Sequence, residues 1–234
     1  MEIEGSVALV TGASRGIGLA FARALLSRGA AKVYAGVRRP EDFDEPGLEP
    51  LRLDITNTQQ IEAAAARASD ASIVINNAGI IAGPRLLSGS LDGARQELEV
   101  NYLGTWAMSR AFAPVLAANG GGVLVNMLSA ASWRANDRLP GYAASKAAEW
   151  SLTNALRLGL RGQGTAVVGV YVGYVDTDAT KSLDVPKVTA AEVAEKTMDA
   201  IIRNDPEVLV DQAAQRVRSL LSGPLDLLYP APSA

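Results

Sequence analysis

The chain of 234 residues contains no cysteine and no histidine. Without cysteine there is no disulfide, no thiolate zinc site and no thiol nucleophile. Without histidine there is no Ser-His-Asp triad and no imidazole metal ligand. Acid–base work therefore falls to Tyr, Lys, Asp, Glu or Ser. No clustered acidic motif marks a carboxylate-only site, so no metal is expected. An excess of basic charge is also missing. The net charge of -3 leaves no electrostatic footprint for nucleic acid or an anionic membrane. No apolar run approaches the roughly 20 residues that cross a bilayer. The first five residues carry acids where a secretory signal would carry bases. The expectation is a cytoplasmic protein with no membrane or nucleic-acid partner.

What remains is an alternation of strand-like and helix-like segments, without repeats, low-complexity linkers or charge blocks. Val7–Thr11 is a short apolar run that ends in a glycine loop. Ile17, Ala20, Phe21, Ala24 and Leu25 follow at helical spacing, with Gly29 as the stop. Further strands are predicted at 32–37, 51–53, 72–76, 122–127, 166–172 and 207–210. Thr56 or Asn57 can cap the helix that follows the third strand. Helices are predicted at 92–118, 142–160 and 189–203. Strands apolar on both faces, alternating with helices, indicate an α/β domain with a parallel sheet covered on both sides. In such sheets ligands bind beyond the carboxyl ends of the strands, at the switch point.

The segment Thr11-Gly12-Ala13-Ser14-Arg15-Gly16-Ile17-Gly18 joins the first strand to the first helix. Glycines let the backbone turn sharply and approach a phosphate, and the helix offers unpaired N–H groups and a positive dipole end. A glycine-rich turn can also be only a turn. The strand before it and the helix after it supply the context that phosphate binding needs.

Later motifs follow in a fixed order: Asn76-Asn77-Ala78-Gly79, then Ser129, then Tyr142-Ala143-Ala144-Ser145-Lys146. With the glycine loop, this series resembles the short-chain dehydrogenase/reductase family over roughly residues 5 to 210. The resemblance implies a single-domain Rossmann fold, with a doubly wound, mostly parallel sheet of about seven strands and helices on both faces. Residues 1–234 would be one dinucleotide-binding and catalytic domain. It implies a nicotinamide dinucleotide and a homodimer or homotetramer. The long helices from Asp92 and Tyr142 would make the main contact. The tail, 211–234, with Leu220, Leu221, Leu225, Leu227 and Leu228, either caps the core or adds a subunit contact.

The second strand ends at Val37, where an NAD-preferring site has an acid for the ribose 2′-hydroxyl. Valine cannot make that bond. Arg38 and Arg15 are instead expected to meet a 2′-phosphate, which indicates NADP(H). By the same resemblance Gly12, Ser14, Gly16, Ile17 and Gly18 form the phosphate loop. Asp54 and the backbone of Ile55 take the adenine, although a lone Asp after a strand is otherwise a cap. Asn77, Ala78 and Gly79 pass the ribose, with Asn76 and Asn77 open to a structural role. Gly173, Val175 and Thr177 approach the nicotinamide. Here the family's Pro-Gly is Val172-Gly173, which puts the local loop geometry in question.

Tyr142 and Lys146 are four apart on a predicted helix and share a face. A phenol titrates near about 10, and a neighbouring ammonium favours the phenolate. Such a pair can move a proton near neutral pH without histidine. The resemblance adds Lys146 to the nicotinamide ribose hydroxyls, Ser129 as the group that polarises the carbonyl, and Asn101 as the helix-kink residue that holds a relay water. The activity implied is NADP(H)-dependent hydride transfer between nicotinamide and a carbonyl or secondary alcohol. The small-molecule substrate would sit among Ala131, Trp133, Leu139 and Tyr174, under a short lid at 178–188. Those four residues are equally plausible as packing. A dinucleotide-binding sensor without turnover is the alternative; the intact Asn101, Ser129, Tyr142 and Lys146 weigh against it.

Overall fold

The computed structural model describes residues 1–135, 137–178 and 180–230. Position 179 of the expected lid and 231–234 of the tail lie outside them. Nine strands form among the described residues: β1 (Val7–Thr11), β2 (Lys32–Val37), β3 (Glu49–Arg52), β4 (Ile73–Asn76), β5 (Gly122–Met127), β6 (Thr165–Tyr171), β7 (Val175–Asp176), β8 (Val188–Thr189) and β9 (Glu207–Leu209). Seven make one sheet in the order β3-β2-β1-β4-β5-β6-β9, and every pairing is parallel. The chain leaves β1 in one direction and resumes at β4 in the other. The carboxyl ends of β1 and β4 therefore flank the switch point, as in a doubly wound Rossmann sheet.

Helices α1 (Gly16–Ser27) and α6 (Ala190–Arg203) cover one face. The other carries α2 (Thr58–Arg67), α3 (Asp92–Glu97), α4 (Thr105–Ala118) and α5 (Pro140–Gly159). Side chains alternate along a strand, so each strand feeds two cores. Ile73 and Ile75 pack with Phe21, Leu25, Val193 and Met198 on the first face. Val74 packs with Ile61, Met108, Phe112 and Leu116 on the second. Each such side chain contributes roughly 1.5–3 kcal/mol of burial, which is why these strands read as unbroken apolar runs.

Helix limits follow local chemistry. Arg28 closes α1, and Gly29 takes the left-handed φ of +85° that turns the chain out. Asn57, not Thr56, caps α2, its side chain accepting from the Gln60 amide at 3.1 Å. Thr189 stands outside α6 as its cap, in a reciprocal box with Glu192. The expected single helix over 92–118 is instead α3, a π-helical stretch Leu98–Gly104, and α4. A wide turn adds a residue that a 3.6-residue period does not reveal. Strand β3 starts at Glu49 and contains Pro50, tolerated because it lies on the sheet's edge.

The region after β6 is more ordered than its composition indicates. Strands β7 and β8 pair in parallel and tether both ends of the expected lid. Two further helices, α7 (Gln212–Leu220) and α8 (Leu225–Leu228), follow β9. Ala214 and Val217 of α7 join Leu128, Trp133 and Tyr171 in a third apolar cluster, against which Leu221 and Leu228 pack. Trp133 is stacked on Tyr171 with centroids 3.9 Å apart. It is 8% exposed and is a core residue, not a wall of a substrate pocket. Asp211 caps α7 by accepting from the Ala214 amide and also accepts from the Gly173 amide, both at 2.8 Å. No described helix is long and apolar enough to cross a membrane. Replacing Asp211 by Ala removes both bonds, so Asp211→Ala is expected to lose about 1–2 kcal/mol in urea unfolding. The Gly173 and Ala214 amides should exchange faster; unchanged exchange at both would show that the tail is held otherwise.

Candidate active site

The glycine loop lies where β1 meets α1, at the switch point. Gly12 and Gly16 have φ of +65° and +57°, a region open to glycine at little cost. A Cβ on Gly18 would lie 2.2 Å from the Gly12 carbonyl and 2.6 Å from Asn77 Nδ2, so helix and loop touch only because that atom is missing. Arg15 is the residue before α1; its side chain makes no cap, and no acid stands in the first turn. The amino end of α1 thus presents its N–H groups and positive dipole uncompensated by side chains. A phosphate fits this cradle.

The second turn of the site is bound to the first. Thr11 Oγ1 accepts from the amides of Asn77 and Ala78 at 2.9 and 3.0 Å. Asn77 Nδ2 donates to the carbonyls of Thr11 and Gly12 at 3.0 and 3.4 Å. The described contacts of the Asn77 side chain are thus structural. A Cβ on Gly79 would sit 3.2 Å from Asn101 Oδ1 and 3.8 Å from Lys146 Nζ, which places Gly79 against both of those side chains. Asn76 lies opposite Asn126 in the β4–β5 register, and its Nδ2 donates to Asn126 Oδ1 at 2.9 Å.

Asp54 Oδ1 accepts from the amide and hydroxyl of Thr56 at 3.0 and 2.7 Å, so it closes a local turn and does not cap α2. Those two bonds hold its carboxyl below the usual carboxylate range against the opposing effect of burial, with help from the Arg38 charge. Ile55 is buried against Gly104, which has no room for a Cβ. Val37 is buried at the end of β2, and Arg38 beyond it is exposed. Arg15 pairs with Asp178 at 2.5 Å instead of turning towards Arg38. Both partners of that pair are more than 70% exposed, so water screens it and the arginine leaves at little cost.

The Val172 departure is accommodated by burial. Val172 is in the core, and its carbonyl accepts from the Ala130 amide at 3.0 Å and from Ser129 Oγ at 3.4 Å. Gly173 faces Asp211 and Ala213, each about 3 Å from where its Cβ would stand. Val175 is in β7. Thr177 comes within 3.6 Å of a Cβ built on Gly16, so the segment after β6 closes against the phosphate loop.

Ser129 follows β5 and caps a short helical turn, accepting from the Ala131 amide at 3.1 Å. Tyr142 and Lys146 are on one face of α5, Tyr142 half-buried and Lys146 buried. Lys146 Nζ donates to the Met127 carbonyl at 2.7 Å and to Glu149 Oε2 at 2.6 Å. Burial alone disfavours the ammonium, but the charges of Glu149 and Tyr142 outweigh it and keep Lys146 above the ordinary lysine range. Asn101 is in the π-helical stretch and fully buried. It accepts from the Ile80 amide at 2.8 Å and donates to the Ile80 carbonyl at 3.0 Å and Ser145 Oγ at 2.9 Å. The wide turn is what delivers this side chain to the loop after β4. Ala131, Leu139 and Tyr174 are partly exposed near this end of the sheet.

Two carboxylates beside the site were not anticipated. Glu97 is fully buried and accepts from the amides of Ala82 and Gly83, both at 2.9 Å. Its other oxygen would be 2.2 Å from a Cβ on Gly141, the residue before Tyr142. Glu149 is 1% exposed, and burial pushes its carboxyl up to about 7 against the pull of Lys146. An acid at the inward helical spacing of Ser145, Lys146 and Leu152 was the available signal for Glu149.

A sequence model for short chain dehydrogenases matches residues 6–187. The chain is 32% identical to the 3-oxoacyl-(acyl-carrier-protein) reductase of Vibrio cholerae over 199 residues, 81% of this chain and 82% of that one. It is 29% identical to the 7alpha-hydroxysteroid dehydrogenase of Escherichia coli over 200 residues, 80% and 78% of the two chains. A crystal structure of a short chain dehydrogenase from Burkholderia cenocepacia in complex with NADP superposes with a TM-score of 0.93 at 39% identity, covering 99% of this chain and 100% of that one. The contact between Gly141 and Glu97 predicts that Gly141→Ala destabilises the fold by about 1–3 kcal/mol through overpacking. Faster exchange of the Ala82 and Gly83 amides should accompany the loss, and unaltered stability would refute the close approach.

Proposed function

The chain belongs to the short-chain dehydrogenase/reductase family, and from that premise we propose that it is an NADP(H)-dependent carbonyl reductase with Tyr142 as its acid–base residue. Membership makes it an oxidoreductase. The observation that carries the finer reading is the placement of Tyr142 on one face of α5 with a buried, charge-compensated Lys146 that reaches the end of β5, which Ser129 follows, and with Asn101 bonded to Ser145 of the same helix. When bound, a nicotinamide dinucleotide supplies or accepts the hydride.

This chain's own groups do the rest. Gly12, Ser14, Arg15, Gly16, Ile17 and Gly18 would hold the diphosphate at the α1 amino end, and Arg38 with Arg15 the 2′-phosphate. Asp54 and Ile55 would take the adenine. Asn77, Ala78 and Gly79 would flank the ribose; Gly173, Val175 and Thr177 would hold the carboxamide side. The exposed Arg38 beside a buried Val37 supports NADP(H), as does the NADP complex of the Burkholderia cenocepacia protein. In reduction the Tyr142 hydroxyl gives its proton to the oxygen of the nascent alcohol. Ser129 Oγ donates a hydrogen bond to that oxygen. Asn101 holds the loop at Ile80 and the Ser145 hydroxyl in place, and its π-turn backbone is the place for a relay water. Ala131, Leu139 and Tyr174, with exposed Leu183 and Val185 on the lid, favour small or medium apolar ketones and aldehydes. Exposed Leu98, Leu103, Trp106 and Leu158 on the α4 and α5 side support a homodimer or homotetramer, to which the tail from 211 onward would add.

The test is NADPH oxidation with a panel of aldehydes, ketones, ketoesters and quinones, with NADH in parallel. Tyr142→Phe is expected to lose roughly 100-fold or more in kcat while binding NADPH as the unaltered protein does. Arg38→Ala should raise KM for NADPH about 10-fold and leave NADH unchanged, the signature of a lost phosphate contact. Equal use of both nucleotides would sink the NADP(H) preference, and full activity in Tyr142→Phe would sink the acid–base assignment.

A further inference from the structure

Beneath the reacting residues is a closed ring of buried polar side chains. Asn76 Nδ2 donates to Asn126 Oδ1 at 2.9 Å and to Ser109 Oγ at 3.4 Å. Asn126 Nδ2 donates to Thr153 Oγ1 at 2.9 Å, and Thr153 Oγ1 to the Glu149 carbonyl at 2.8 Å. Ser109 Oγ donates to the Thr105 carbonyl at 2.7 Å, and Thr105 Oγ1 to Glu149 Oε1 at 3.4 Å. The ring ties β4, β5, α4 and α5 together and is at most 3% exposed at every member. Buried polar groups on this scale are held by mutual hydrogen bonds; of the ring's side-chain atoms, Asn76 Oδ1 is left without a partner.

Glu149 is the one ring member that reaches the reacting residues. Its second oxygen, Oε2, stands 2.6 Å from Lys146 Nζ, an ion pair with both side chains at 6% exposure or less. An ammonium has three donors. Two are taken here, by Glu149 and by the Met127 carbonyl, and Gly79 faces Nζ with no side chain between. Glu149 thus fixes where the ammonium points as well as its charge. The group that α4 turns towards the Glu149 carboxylate, Thr105, is neutral, and so are Ser109, Asn76 and Asn126 further along the ring. Lys146, with Tyr142 beyond it, is the charged neighbour.

We propose that Glu149 is a positioning residue that holds the Lys146 ammonium, charged and oriented, beside Tyr142, and is itself fixed by the buried ring. The inference rests on the reading of Tyr142 and Lys146 as the acid–base pair. Removing the carboxylate leaves a buried ammonium without its counter-charge, and burial then works against the charged form. Lys146 then gives up its proton earlier as pH rises. Without the ammonium Tyr142 is a weaker acid, so reduction falls away where Lys146 deprotonates and its alkaline limb moves to lower pH.

The test uses Glu149→Gln, which keeps the shape and can still accept from Lys146 while donating to Thr105. Two readouts are taken. One is the NMR titration of 13Cε-labelled lysines, with the Lys146 signal assigned by its loss in Lys146→Met; it needs neither cofactor nor turnover. The other is the pH profile of kcat/KM for carbonyl reduction with NADPH. The Lys146 signal in Glu149→Gln should titrate about one pH unit lower or more. The alkaline limb should follow by about one unit, a loss of about 10-fold at fixed pH on that limb. Thr105→Val, which removes the donor to Oε1, should move both in the same direction by less, and it serves if Glu149→Gln does not fold. Unchanged Lys146 titration with an unchanged limb would overturn the proposal, because a merely structural carboxylate moves neither. A shifted Lys146 signal in a protein that turns over nothing would support the hold of Glu149 and sink the enzyme reading instead.

Discussion

A cation buried at the carboxyl end of a parallel sheet has to be held and compensated, and much of this domain is arranged around that constraint at Lys146. The ammonium draws on the Met127 carbonyl of β5 and the Glu149 carboxylate of its own helix. Glu149 in turn needs Thr105 across the helix interface, and the ring continues through Ser109, Asn76, Asn126 and Thr153. The bonds of Lys146 to Met127, of Thr105 to Glu149, of Asn76 to Ser109 and Asn126, and of Asn126 to Thr153 each fix one element against another. Desolvation makes any missing member costly, so the polar network specifies how α4 and α5 sit on the sheet in a way apolar packing alone does not.

Around that centre, missing atoms matter as much as present ones. Gly18 allows α1 to start against the Gly12 carbonyl, Gly79 leaves Lys146 Nζ open above, and Gly141 lets α5 begin against Glu97. Gly104 does the same for the π-helical stretch against Ile55. At these glycines the backbone comes closer to its neighbours than any side chain would allow. Thr11, Asn77 and Asn101 fasten the loops thus brought together. The third apolar cluster, Trp133 on Tyr171 under α7, then holds the Ser129 loop from behind.

The legible part of the fold was the part set by local pattern. Apolar runs such as 73–75 and 123–125 can only be central strands, since both faces of a parallel sheet are buried. Asn57, offered as a cap, and Thr189, read as a first helical residue, each marked a helix start to within a residue. Less legible was whatever depended on contacts distant in sequence. The π-helical stretch departs from the regular period where Asn101 bonds Ile80, 21 residues away. The order of the tail comes from Asp211 reaching Gly173, and Trp133 is core because Tyr171 and α7 lie beneath it. None of these partners is near in the chain.

Sequence alone determined the layered α/β architecture, the glycine loop between the first strand and the first helix, and the presence of Tyr142 and Lys146 on one helical face. Each follows from spacing within about ten residues or from the residue types a loop tolerates. Tertiary structure alone decided that Lys146 is buried against Glu149, that Arg15 pairs with Asp178, and that Asn77 fastens the glycine loop. Charges and amides choose partners by distance and desolvation, and those are settled only when strands and helices from distant parts of the chain come together.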